Sequence, residues 1–161
     1  MRWVRAAVGL GANLGDACAT VRAAAQALAA LSSTRNLVLS PLYRSAPLDA
    51  EGPDFVNAVA LIETALPPQP LLAALQDIER QHGRTRPYRH APRSLDLDLL
   101  LCGDSIIDTP PLRLPHPRLH ERAFVLLPLL DVWPEAVVPG QGAALLLRAG
   151  VADQRVQRIA G

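Results

Sequence analysis

The sequence predicts an α+β fold: a ferredoxin-like βαββαβ antiparallel sheet with helices packed on it and a short extra hairpin. Three observations carry that expectation. Apolar runs with a period of two alternate along the chain with two segments whose apolar residues recur at helical spacing. Glycine and proline punctuate these runs, and the fifteen prolines are scattered rather than massed in one tract. With 161 residues, half of them hydrophobic, residues 1–161 can bury a proper core as one domain.

Taken in order, Trp3–Leu10 reads as the first strand. Asn13-Leu-Gly-Asp16 then turns into a helix, with Asp16 as N-cap and Val21, Ala24, Ala25, Leu28 and Leu31 at helical spacing. Leu37–Tyr43 is a second strand, and Ser45–Pro53, rich in proline and glycine, a long exposed loop. Phe55–Thr64 is the third strand. After a cluster of prolines, Leu71–Gln81 forms a second helix with Leu71, Leu72, Leu75 and Ile78 on one side. A fourth strand follows near residue 96. The remainder adds a hairpin (Ser105–Ile107 with Leu112–Leu114), a helix near Glu121–Leu130 and a C-terminal helix around Ala143–Arg148. The last dozen residues carry no clear pattern.

The fourth strand holds the most chemistry. In Arg93-Ser-Leu-Asp-Leu-Asp-Leu-Leu-Leu101, strand alternation puts Asp96 and Asp98 on one face and Leu95, Leu97 and Leu99 on the other. Carboxylates at i and i+2 stand roughly 6.5–7 Å apart, a spacing that suits hard cations held between them. Just upstream, five arginines (80, 84, 86, 89 and 93) and two histidines (82 and 90) crowd a helix end and the loop after it. A cationic loop feeding an acidic strand is what a phosphate-plus-magnesium site requires: guanidinium forks neutralise phosphate oxygens while carboxylates hold the bridging metal. A solvated charged face is the bland alternative for either motif alone.

Composition narrows the chemistry. The chain has no lysine, which excludes a Walker A loop, a protein-kinase lysine and Schiff-base catalysis. A formal net charge of +1 argues against nucleic-acid binding by a global field. Cys18 and Cys102 show neither disulfide nor zinc spacing, which fits a reducing cytoplasm. The N-terminal apolar run is too short and too soon broken by Gly9 and Gly11 for a signal peptide, and nothing approaches the length of a membrane span.

Other motifs compete for attention. Gly9-Leu-Gly-Ala-Asn-Leu-Gly15 resembles a dinucleotide fingerprint but is one residue too long, and no acid follows at ribose distance. The glycines are better read as permitting a tight strand-to-helix turn. His116 and His120 are spaced i, i+4, yet Pro115 and Pro117 flank the first, so a shared helix face for a metal is not expected. They read instead as structural or phosphate-contacting histidines. An RNA-recognition module would need aromatics across its sheet, and aromatic content is only 4%.

These motifs together resemble the 6-hydroxymethyl-7,8-dihydropterin pyrophosphokinases of folate biosynthesis. The resemblance shows in Gly9-Leu-Gly-Ala-Asn-Leu-Gly-Asp16, Ser40-Pro-Leu-Tyr-Arg-Ser-Ala-Pro-Leu48 and Pro53-Asp-Phe-Val-Asn-Ala58. It continues in Ile78-Glu-Arg-Gln-His-Gly-Arg-Thr-Arg86, Pro92-Arg-Ser-Leu-Asp-Leu-Asp98 and Pro115-His-Pro-Arg-Leu-His-Glu-Arg-Ala-Phe124. It implies transfer of a pyrophosphoryl group from ATP to the pterin hydroxymethyl group, with release of AMP. It implies two Mg²⁺ on Asp96 and Asp98, and Arg84 and Arg93 as catalytic phosphate clamps with Arg86 beside them. Gln76, Glu79, His116 and Arg122 match nucleotide positions. Phe55 and Phe124 would sandwich the pterin, Asn57 would bond its polar edge, and Ser45, Ala46, Pro47 and Leu48 would supply backbone contacts. The resemblance also implies a cytoplasmic enzyme, expected as a monomer, with neither nucleic acid nor membrane as a partner. A nucleotidyltransferase using the same paired aspartates is the rival class. Three departures stand out: Ala12 where the family often has Ser, His90-Ala-Pro92 where it usually has Trp-Gly-Pro, and Phe55 where Tyr is also found.

Overall fold

The computed structural model describes residues 2–46, 53–82 and 95–159. In chain order its elements begin with β1 (Val4–Ala12), α1 (Ala17–Ala29), β2 (Thr34–Leu39), β3 (Tyr43–Ser45), β4 (Phe55–Thr64), α2 (Pro68–Gln81) and β5 (Asp96–Cys102). There follow β6 (Ile107–Asp108), β7 (Arg113–Leu114), α3 (Ala123–Val132), β8 (Val137–Val138), β9 (Gly142–Ala143), α4 (Ala144–Leu147) and β10 (Val156–Arg158). Turns of 3-10 helix cover Leu119–Glu121 and Arg148–Val151. The result is a mixed α/β fold with a mainly antiparallel sheet.

The main sheet runs β10-β3-β4-β1-β5, with β2 also paired to β4. The second strand expected over Leu37–Tyr43 is therefore two. β2 pairs with the far part of β4 (Thr34↔Thr64, Leu39↔Ala60), and β3 with its beginning (Tyr43↔Asn57, Ser45↔Phe55). Pro41 lacks the N–H that a continuous ladder needs. Ser40 covers the gap: its N–H donates to Val59 O, and its Oγ accepts the Val59 N–H, both at 2.9 Å. Ser45, expected to open an exposed loop, instead ends β3 and is buried.

Both long helices form where their periodicity predicts. The Asp16 side chain accepts the Ala19 N–H at 3.1 Å, as an N-cap does. α2 begins at Pro68, a first-turn position where a missing N–H costs nothing. The third helix starts two residues later than expected and carries Pro128 inside it, while the C-terminal helix shortens to one turn before the 3-10 segment. The hairpin is shorter than expected, as Ile107–Asp108 with Arg113–Leu114. The tail that showed no pattern supplies β10, which pairs with β3 (Val156↔Ser45).

The sheet buries both faces. On one, Val8, Leu10, Ala60, Leu97 and Leu99 pack against Val21 and Leu28 of α1 and Leu71 and Leu75 of α2. On the other, Ala7, Val59, Leu100 and Leu101 pack against Leu126 and Leu129 of α3. Two consecutive leucines reach that second face because the β1–β5 register shifts between Ala7 and Val8. The Leu100 carbonyl at this irregularity accepts the His116 N–H at 2.9 Å, which fastens the His116 segment to β5. α3 covers only part of its face. Beyond it, the residues at Gly9, Gly11, Asn57, Asp96 and Asp98 floor a cavity. No described helix is long and apolar enough to cross a membrane.

Candidate active site

Three neighbouring strands set the cavity floor. Gly9 pairs with Asp98 and Gly11 with Asp96 across β1 and β5, while Gly9 pairs with Val59 and Gly11 with Asn57 across β1 and β4. Paired residues share a face, so two side-chain-free positions lie between the aspartates and Asn57. The first strand runs past the expected end at Leu10 to Ala12, so Gly11 as well as Gly9 is a strand residue, and of the three glycines only Gly15 lies in the turn, with a positive φ of 59°. A Cβ on Gly11 would stand 2.9 Å from Asn57 Oδ1, inside any tolerable contact. Glycine here lets the Asn57 side chain lie across β1.

The cavity encloses about 420 Å³ and is bounded by Phe55 and Phe124, with Asn57, Ser45, Asp96 and Asp98 among its polar lining. Asn57 is only 8% exposed, and its Nδ2 donates to Ser45 Oγ at 3.0 Å, which holds the amide in one orientation. Phe124 comes from the first turn of α3, with the Arg122 guanidinium carbon 5.5 Å from its ring centroid. Two aromatic side chains and a few fixed polar groups suit a flat heterocycle with a polar rim. Ala46 lines the same space; Pro47 and Leu48 lie outside the described residues.

A second, smaller cavity of about 190 Å³ adjoins β5 and is lined by Leu72, Pro111, Leu112, Arg113, His116 and Asp98. Asp98 thus lines both cavities. Burial pushes the His116 imidazole below its usual pKa; Asp98 opposes this, while Arg122 and Arg118 add to it. The ring is neutral near pH 7, and its Nδ1 accepts the Arg118 N–H at 3.2 Å. The proton then resides on Nε2, a donor for a phosphate or hydroxyl oxygen.

Glu79 is more than a surface contact. It is 6% exposed on α2 and accepts the Leu97 N–H at 2.9 Å, between the two aspartates in sequence. It ties the end of α2 to the outer edge of β5. Gln76 lies one turn earlier and is exposed. Arg84, Arg86 and Arg93 lie outside the described residues, as does His90.

Among the described residues no group of three or more His, Cys, Asp or Glu is placed to hold a metal. Asp96 and Asp98, paired on one face with hard oxygen donors only, do not make a zinc or calcium cage. They fit Mg²⁺, which keeps waters and takes one or two carboxylates together with substrate phosphates.

The aspartates, expected from strand alternation, and Phe55, Phe124 and Asn57, expected from the resemblance, line one cavity. Sequence reasoning missed Gly9, Gly11 and Asn13 as cavity residues, and Leu72, Pro111, Leu112 and Arg113 around the smaller one. The signal for the glycines was present: Gly-x-Gly inside a strand has the same period of two as Asp-x-Asp, and two such runs can pair.

Comparison with known proteins shows the family. Residues 7–134 match the model of the 7,8-dihydro-6-hydroxymethylpterin-pyrophosphokinase (HPPK) family. A 2-amino-4-hydroxy-6-hydroxymethyldihydropteridine pyrophosphokinase of Pseudomonas aeruginosa is 43% identical over 158 residues, covering 98% of each chain. Its counterpart from Haemophilus influenzae is 40% identical, covering 97% of this chain and 98% of its own. Among solved structures, a triple mutant of Plasmodium falciparum HPPK-DHPS superposes with a TM-score of 0.72 at 14% identity. That match covers 92% of this chain and 44% of the other, and it speaks for the fold alone. A family match over most of the chain, joined to two relatives matched nearly end to end, places this protein in the 7,8-dihydro-6-hydroxymethylpterin-pyrophosphokinase family.

Proposed function

We propose that this chain, acting as a single domain over 1–161, transfers the β,γ-pyrophosphoryl group of ATP to the hydroxymethyl group of 6-hydroxymethyl-7,8-dihydropterin, releasing AMP. The observation that carries the reading is that Asp98 borders both cavities. A group-transfer enzyme needs its two substrates to meet at one charged junction, and the paired-aspartate strand is where an aromatic slot and the smaller cavity beside His116 adjoin. The β5-β1-β4 order, with β2 and β3 beyond, also accords with a ferredoxin-like core.

In this reading Phe55 and Phe124 stack on the pterin faces, and Asn57 bonds its rim, held by Ser45. Ala46, Pro47 and Leu48 contribute main-chain contacts. Gln76 and His116 serve the nucleotide, Arg122, matched to a nucleotide position, lines the larger cavity beside Phe124, and Glu79 keeps the edge strand in place. Asp96 and Asp98 would hold two Mg²⁺ ions, which neutralise charge on the triphosphate oxygens when bound. The substrate hydroxyl attacks the β-phosphorus, its oxygen replaces the bond to the α-phosphate oxygen, and AMP leaves. Arg84 and Arg93, with Arg86, supply guanidinium groups to the transferring phosphates. The two cysteines are free, in keeping with a cytoplasmic protein, and we infer a monomer without nucleic-acid or membrane partners.

Incubation with ATP, Mg²⁺ and the pterin alcohol tests the reading through the nucleotide product. AMP formed in step with pyrophosphorylated pterin is expected. Release of free pyrophosphate with nucleotide joined to the acceptor would make the protein a nucleotidyltransferase instead.

A further inference from the structure

We propose that Gln154 is a positioning residue for the pterin site, setting the Arg122–Phe124 wall from the far end of the chain. The inference rests on the pterin reading of the larger cavity. α3 has no cap of its own: its N-cap residue is Arg122, extended at φ −126° and ψ 115°, with no side-chain capping bond. The N–H groups of a helix's first turn need partners from elsewhere. The Ala123 N–H finds one 31 residues away, donating to Gln154 Oε1 at 2.8 Å. The same amide donates through Nε2 to the Glu121 carbonyl at 2.7 Å.

One side chain therefore grips the backbone on both sides of Arg122. A primary amide can do this because it carries an acceptor and a donor side by side, like the peptide of a neighbouring strand. Fixing the carbonyl before Arg122 and the N–H after it leaves that residue little freedom in φ and ψ. Arg122 and Phe124, the residues on either side of the gripped N–H, both line the cavity. A local aspartate cap could accept from a first-turn N–H but has no donor for the Glu121 carbonyl.

The segment that carries Gln154 is itself anchored to another part of the cavity. The Gln154 N–H donates to the Val151 carbonyl at 3.0 Å, and Val151 is buried. Two residues on, Val156 pairs with Ser45, whose hydroxyl orients Asn57. The C-terminal segment thus touches the Asn57–Ser45 side through β10 and the Arg122–Phe124 side through Gln154. It spans two walls without lining the cavity.

The test is pterin binding and steady-state kinetics on the full chain carrying Gln154→Ala or Gln154→Glu, beside Phe124→Leu and Asn57→Ala. Gln154→Ala should weaken pterin binding by about five- to tenfold, the scale of one or two net hydrogen bonds, with kcat at saturating substrates within about twofold. Gln154→Glu keeps an acceptor but sets a carboxylate against the Glu121 carbonyl, so it too should raise the pterin Kd. A lowered thermal midpoint with unchanged pterin Kd in both variants would make Gln154 merely structural and overturn the proposal, as would failure of both to fold. If Phe124→Leu and Asn57→Ala also leave pterin affinity intact, the pterin reading of the cavity fails and takes the proposal with it. If those two weaken pterin and the Gln154 variants do not, only the positioning role is lost.

Discussion

Residue by residue, the site depends on where side chains are missing as much as on where they are charged. Gly11→Ala would place a Cβ 2.9 Å from Asn57 Oδ1, so the amide must swing away from the cavity or lose its bond to Ser45. Pterin affinity should fall about tenfold, the scale of a misaligned buried hydrogen bond, as titration calorimetry would show. Gly9→Ala is the matched comparison: its Cβ would meet Leu100 at 3.5 Å, an ordinary contact, so the loss should be smaller. Equal losses would place the effect in the cavity floor generally rather than in Asn57. The aspartates make a different prediction. Asp96→Asn or Asp98→Asn should cut kcat by about 10²–10³ or more, the scale of removing one preorganised electrostatic group. Thermal stability should change little, because asparagine keeps the shape of the side chain and removes one of two like charges on one strand face. Unfolding of either variant would make the pair structural and sink the assignment.

Among the elements, α3 carries a wall of the site and is fastened at its far end by Tyr43. The Tyr43 hydroxyl donates to Asp131 in the last helical turn, where a carboxylate is otherwise disfavoured by the helix dipole. Burial, then the Asp131 hydrogen bond and charge, push the Tyr43 pKa up to about 12, with Arg158 opposing. An unfolded tyrosine titrates near 10. The folded value is the higher, so this contribution to stability is complete below pH ~10 and lost as pH rises through about 12. The chain has no lysine to titrate in that window. Denaturant melts from pH 8 to 12 should therefore show a steeper alkaline loss in the parent than in Tyr43→Phe, which starts less stable but varies less. Parallel curves would remove Tyr43 from the account. Elements like this also mark the limit of what was legible beforehand. α1 and α2 were readable because each has one period and one buried face, and β4 because it is a mostly apolar run buried on both faces. The broken edge strand was not: Ser40 closes the gap with a side-chain bond to a strand remote in sequence, which no local pattern encodes. β10 is a short, largely exposed strand defined by its partner, and α3 borrows its cap from Gln154. Site chemistry was legible where it depended on charge at strand period; Gly9 and Gly11 carry the same period, but glycines so close to a helix start read equally as a turn.

At the scale of the whole molecule, two cavities of unequal size meet at β5 and share Asp98. Phe124 belongs to one and His116 to the other, Phe124 from α3 and His116 from the segment after β7. Each should then govern its own ligand. Phe124→Leu should raise the pterin Kd several-fold, since aromatic stacking contributes about 0.5–1.5 kcal/mol beyond area, and leave nucleotide binding within about twofold. His116→Ala should weaken a non-hydrolysable ATP analogue by a similar factor, through loss of the Nε2 donor, and leave the pterin alone. Combined in one chain, the two changes should add within about 0.5 kcal/mol when each ligand is titrated without the other, as expected of separate sites. Asp98→Asn should behave differently, depressing turnover whichever substrate is saturating, because Asp98 lines both cavities. Coupling above about 1 kcal/mol between Phe124 and His116 in the binary titrations would mean a single continuous pocket, and the division of labour across β5 would have to be abandoned.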